Sequence, residues 1–157
     1  MTHQEYVIYA TKLAGSEFFR YANAVANDQI EFVVAPGTRS VLSICREIAM
    51  TPGWGEDLLF DKPQDWSPEA MQKVEEEQKQ WTSIEQCEAE FNRRLSRFFE
   101  AVESFPDSQL MDTKFLPFEG GRDFTFVEIM DYPKWNLNYH TGQVALIQLA
   151  LGDPEMY

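Results

Sequence analysis

Hydrophobic positions recur at helical spacing in four stretches of the chain. In the first, from about Thr2 to Ala26, Val7, Ala14, Phe18, Tyr21 and Val25 follow one another at intervals of 7, 4, 3 and 4, which is one face of a helix. Thr2 and Glu5 stand at capping-box spacing at its start, and Gly15 weakens its middle slightly. Residues 27–37 read as a connection closed by Pro36-Gly37, in which Ile30 to Val34 could be a short extended piece. A second, shorter helix is expected from Arg39 to Met50, on the stripe Val41, Ile44, Cys45 and Ile48, with Thr51-Pro52-Gly53 ending it. From there to Trp66 there is no period. This reads as a long loop whose Trp54, Phe60 and Trp66 cover the core, or one that carries function.

The third stretch is the strongest. After the cap Ser67 and the helix-starting Pro68, Val74, Trp81, Ile84, Cys87, Phe91, Leu95, Phe98, Val102 and Phe105 form a heptad-like seam. Glu75, Glu76, Glu77, Lys79, Arg93 and Arg94 lie off the seam and read as a solvated face. Pro106 closes this helix, and Pro106 to Asp123 is a loop punctuated by Pro117 and Gly120-Gly121. The last helix should run from Thr125, again with a capping-box partner at Glu128, to about Leu151, with Pro133 kinking or breaking it one turn in. No strand with clear alternation is present. Four helices with long connections predict an all-α four-helix bundle over residues 1–157 as one domain.

The last helix breaks the pattern. At about 100° per residue, Ile129, Asn136, His140, Gln143, Ile147 and Leu151 share one side, so an amide, an imidazole and a second amide interrupt an apolar stripe. Buried polar groups need partners. They bond to one another and to nearby side chains, line a wet pocket, or hold a metal; Asn136 and His140 have the i, i+4 spacing that lets two ligands reach one ion. Gly142 permits close approach of a helix or a ligand.

Charge narrows the partners. Thirteen basic residues oppose 26 acidic ones, for a net charge of −13, which argues against nucleic acid and against anionic membranes. No apolar run approaches transmembrane length, and Met1 to Glu5 lack the basic and apolar segments of a signal peptide, so a cytoplasmic protein is expected. Cys45 and Cys87 fall on apolar stripes and read as small buried hydrophobes. The di-iron Glu-x-x-His pattern, His-Glu-x-x-His, the P-loop and the dinucleotide glycine fingerprint are all absent from the sequence.

The run from Asn136 through His140, Gly142 and Gln143 to Asp153 resembles the last helix of the DinB/YfiT-like superfamily, where a His is followed by x-Gly-Gln. Residues 36–49 look like that superfamily's second helix, and the order of elements matches over nearly the whole chain. The resemblance implies an antiparallel four-helix bundle with a crossing connection, often a homodimer. Many members bind zinc or nickel through three histidines, one on the second helix and two on the last. Only His140 matches; Asn136 and Glu47 stand at the other two positions. The resemblance therefore implies a weaker site of Glu47, Asn136 and His140 for one divalent ion (zinc, nickel or a harder cation), or no metal at all. Gln143, Tyr139 and Trp54 complete the expected pocket; no catalytic residue is assigned.

The implied activity is that of a metal-dependent thiol transferase, or a related enzyme, acting with a low-molecular-weight thiol or another small molecule. A metal-free small-molecule binder, or a structural or partner-binding bundle, is the rival expectation.

Overall fold

The computed structural model describes residues 1–117 and 120–157. It holds α1 (His3–Ala24), α2 (Val41–Leu59), α3 (Pro68–Lys79), α4 (Ile84–Ser104) and α5 (Phe126–Ala150), with a short hairpin of β1 (Thr113–Leu116) and β2 (Arg122–Thr125) ahead of α5. The capping boxes read from the sequence at Thr2/Glu5 and Thr125/Glu128 both form, and Ser40, Ser67 and Ser83 cap α2, α3 and α4. Each cap satisfies amide donors that a helix start would otherwise leave open.

The four long helices share one hydrophobic core, and each packs mainly on two others in the ring order α1, α4, α2, α5. Residue pairings fix their directions. Asn23 reaches Glu88 and Gln4 reaches the Phe105 carbonyl, so α1 and α4 are antiparallel. Glu47 meets His140 and Thr51 meets Asn136, so α2 and α5 are antiparallel as well. By contrast, Lys134 lies over the Tyr6 ring while Gln148 bonds to the Tyr21 carbonyl, and Arg46 bonds to the Trp81 carbonyl while Arg97 pairs with Glu56. Those contacts make α1 with α5, and α2 with α4, parallel. The antiparallel arrangement expected from the sequence thus holds for two of the four neighbouring pairs. The parallel α2–α4 pair needs a return across the length of the bundle; residues 60–83, with α3 on them, supply it.

Several boundaries differ from expectation for identifiable reasons. Helix α2 does not stop at Met50 but runs through Pro52 to Leu59, so most of the expected loop is helix. Its second half is held by packing: Leu58 and Leu59 are buried, and a Cβ at Gly55 would come within 2.8 Å of the Phe98 ring, so glycine here serves close approach to α4. Tertiary contact overrides the proline and glycine signals. Phe60 and Trp66 are exposed and do not cover the core.

The long third stretch is two helices, parted at residues 80–83 where Ser83 starts a new cap. Only its α4 part, from Ile84 to Val102, buries the whole seam; α3 buries no residue. Arg94 is not on a solvated face: it is tucked between Glu77 and Glu90 at 2.6 Å from each and stands over Trp81, pinning α3 to α4. Ile30 lies in a turn, its carbonyl accepting from Leu42, and no strand forms there.

The expected 106–123 loop contains a 3-10 turn and strands of four residues, too short to show alternation; its residues 118–119 lie outside the described residues. Gly120 and Gly121, both with φ near +85°, supply a turn conformation that other residues resist. Pro133 sits inside α5 without breaking it. Among the described residues no helix is long and apolar enough to cross a membrane.

Candidate functional site

The antiparallel crossing of α2 and α5 brings together the polar positions of both helices. On α2, Arg39, Ser43, Glu47 and Thr51 follow at intervals of four, which stacks them along one side of the helix and its lead-in. On α5, Asn136, His140 and Gln143 occupy the facing turns. Asn136 is 2% exposed and His140 3%, so both are committed to internal partners.

The Glu47 carboxylate is the hub. Its Oε1 lies 3.0 Å from His140 Nε2 and accepts a longer bond, 3.4 Å, from Asn136 Nδ2. Its Oε2 accepts from the Arg39 guanidinium. Arg39 is itself held by Ser43, donating to that residue's hydroxyl at 3.3 Å and its carbonyl at 2.7 Å. Asn136 Nδ2 also donates to Thr51 Oγ1 at 2.9 Å, and Thr51 donates back to the Glu47 carbonyl at 3.1 Å. At the far edge of the ring, His140 Nδ1 lies 2.7 Å from Gln143 Oε1.

Burial alone would push the Glu47 carboxyl up, but the His140 hydrogen bond and the adjacent Arg39 charge outweigh it and hold the pKa at about 2. Glu47 is therefore ionised at neutral pH and can only accept. A carboxylate 3.0 Å from Nε2 sets the proton on that nitrogen and leaves Nδ1 facing Gln143. Gln143 suits that position. Its amide oxygen meets a protonated Nδ1, and its amide nitrogen, after a flip, meets a bare one. Gln143 is only half-buried, so the Nδ1 edge is the side of the ring nearer solvent.

An aromatic row borders the site on α5. Tyr132, Trp135 and Tyr139 stack with centroids 5.8 and 5.5 Å apart, and Tyr139 meets the His140 ring edge-on at 5.2 Å. Burial and then the Glu47 charge raise the Tyr132 pKa. Of the three expected pocket residues, Gln143 is in the site, Tyr139 is at its outer edge, and Trp54 lies half-buried on α2 two turns beyond Glu47. Sequence reasoning missed Arg39 and Thr51. The every-fourth-residue row from Arg39 to Thr51 was the available signal, but ending the second helix at Met50 cut it short.

The expected ligand set Glu47, Asn136 and His140 does converge, yet its chemistry does not suit a divalent ion. Glu47 and His140 bond directly to each other, and the second carboxylate oxygen is neutralised by Arg39. Asn136 turns its NH2 group, which has no lone pair to give, toward the hub; turning the amide over would set its oxygen against the carboxylate. Among the described residues no group of three His, Cys, Asp or Glu side chains is placed to hold a metal.

No family model matches the chain, and no curated protein matches it. Solved structures do. A conserved protein from Enterococcus faecalis superposes with a TM-score of 0.73 at 13% identity, covering 98% of this chain and 99% of that one. A mycothiol-dependent maleylpyruvate isomerase superposes with a TM-score of 0.71 at 14% identity, covering 92% of this chain; the chain spans 63% of the isomerase's length.

Proposed function

Starting from the DinB/YfiT-like fold, which this chain has, we propose that it is a small-molecule enzyme of thiol-related chemistry. In this reading His140 takes and returns a proton at Nδ1, and Glu47 is its positioning residue. The observation that carries the reading is the Arg39–Glu47–His140 chain, in which an ionised carboxylate fixes the imidazole's tautomer and orientation. Carboxylate-oriented imidazoles are general bases, an effect worth roughly 10²–10⁴ in rate. A free thiol, with a pKa of about 8.5, is mostly protonated at neutral pH and gains from such a base.

The step balances simply. The S–H proton passes to Nδ1 and the thiolate forms an S–C bond to an electrophilic carbon of the second substrate. The proton then leaves with the displaced group or returns to the adjacent carbon. Gln143, which must move for a substrate to reach Nδ1, is the gate. The chain's own thiols are poor nucleophiles. Burial pushes the Cys45 thiol well up and holds Cys87 at about 11, so both stay protonated.

Thiol consumption with a panel of low-molecular-weight thiols and a haloalkane or activated alkene tests this. The expected result is saturable turnover that falls at least a hundredfold in His140→Gln. No turnover above the uncatalysed rate with any pair rejects the thiol assignment. Elemental analysis of the same purified protein should find divalent metal far below one per chain; one tightly held ion per chain rejects the metal-free reading.

A further inference from the structure

Beside Gln143, on the solvent side of the His140 ring, α5 leaves a slot. Tyr139, Gly142, Gln143 and Leu146 follow at intervals of 3, 1 and 3, which sets them along one flank of the helix over two turns. Trp135 lies one turn before Tyr139, and the two rings stack at 12° with centroids 5.5 Å apart. One face of the Tyr139 ring is used in this way. The opposite face looks along the helix toward the next turn, and among the described residues no second ring stacks on it. That next turn carries Gly142, where a Cβ would meet nothing within 4 Å. Leu146, 58% exposed, bounds the gap on its far side.

The gap has the dimensions of a flat group. Tyr139 and Leu146 are seven residues apart, about 10.5 Å along the axis. Their own half-thicknesses take about 3.5 Å of that. The remainder, about 7 Å, lets a planar group lie at contact distance on Tyr139 with Leu146 closing the other side. The gap is also uncharged: residues 135 to 150 contain no Asp, Glu, Lys or Arg, and a chain of net charge −13 repels anions.

We propose that this slot takes a neutral planar group of the substrate, an aromatic ring or a conjugated alkene, stacked on Tyr139. Gly142 is the residue that keeps the slot open, since any side chain at that position stands between Tyr139 and Leu146. Tyr139 meets the His140 ring at 5.2 Å and Gln143 covers His140 Nδ1, so a group on Tyr139 lies against the side chain that must move to admit it. The direction of the reacting carbon, toward Nδ1, rests on the reading of His140 as the base. The stacking itself rests on Tyr139, Gly142 and Leu146. Ring-on-ring contact is stronger than area burial alone provides, so the slot selects flat groups over saturated ones of equal size.

Titration of ¹⁵N-labelled protein with 2-naphthalenemethanol and with its saturated decahydro analogue tests this, because the analogue is more apolar but not flat. The naphthyl probe should give saturable shifts centred on the amides of Tyr139, Gly142, Gln143 and Leu146, with binding at least tenfold tighter than that of the analogue. Tyr139→Leu and Gly142→Leu should each weaken it at least tenfold with an unchanged helical circular dichroism spectrum. Gly142→Leu should also fold at least as stably, because it replaces a helix glycine where there is open space. Shifts centred elsewhere, equal affinity for the two probes, or undiminished binding by Gly142→Leu overturn the proposal. Naphthyl binding in the slot without thiol turnover rejects the thiol assignment and upholds the slot. Thiol turnover in a protein that takes no planar probe does the reverse.

Discussion

Helices α4 and α5 lie across the same core from each other, and their faces are built on opposite rules. In α4 everything buried is apolar, from Ile84 to Val102, and its charged residues point away or pair along its flank. In α5 the buried side carries Asn136, His140 and Gln148, while Trp135, Tyr139, Leu146 and Leu149 are left outside. A helix that only had to fold would follow the α4 rule. Polar groups held inside at a desolvation cost, with apolar groups held outside, mean that α5 meets demands beyond folding.

The contrast can be broken most severely from the α4 side. Phe98 is fully buried against Gly55, and Phe98→Ala should cost about 3–5 kcal/mol, read as a loss of midpoint in chemical denaturation. Removing the hub of the polar site should cost somewhat less. Glu47→Ala leaves Arg39 and His140 facing each other without their carboxylate, and about 2–3 kcal/mol of destabilisation is expected.

Acid sharpens the same point. The Glu47 carboxyl is held at about 2 against its ordinary 4.5, so its stabilising share is complete above pH 4.5 and drains away as the pH falls toward 2. Wild type should lose roughly 2–3 kcal/mol more than Glu47→Gln over that window. A wild type with the same acid slope as Glu47→Gln would mean that the carboxylate gains nothing from its partners.

A fourth experiment asks whether the inverted face serves folding at all. Replacing Glu47, Asn136 and His140 together by Leu should leave stability within about 1–2 kcal/mol of wild type, or raise it, while abolishing activity, because whole buried polar sets are often replaceable at no net cost. The smallest effect belongs to the outer side of α4. Arg93 pairs with Glu90 at 2.6 Å but is 56% exposed, and Arg93→Ala should move the midpoint by no more than about 0.5 kcal/mol.

How much could be read without coordinates follows from the same contrast. The α4 rule is local: a seam of Ile84, Cys87, Phe91, Leu95, Phe98 and Val102 announces its own buried face, and both capping boxes announce their helix starts. The polar interruption at Asn136 and His140 was visible for the same reason, whereas Glu47 entered only through the resemblance of residues 36–49 to a known family's second helix. What could not be read depends on packing between distant segments. Pro52 continues a helix because Leu58, Leu59 and Gly55 are seated on the core. Arg94 looks like any surface arginine until Glu77, 17 residues earlier, folds back onto it. Thr51 becomes part of the site only because α2 runs on past Met50 and aligns it with Glu47 and Asn136.

The central claim is that Glu47 binds His140 directly and so fixes the proton on Nε2. Long-range ¹H–¹⁵N correlation of the imidazole at neutral pH measures this. The account requires a proton on Nε2 whose resonance shifts in Glu47→Gln and stays in place on adding zinc or nickel. An Nε2 that carries no proton, or that moves to a metal-bound shift when the ion is added, would contradict it.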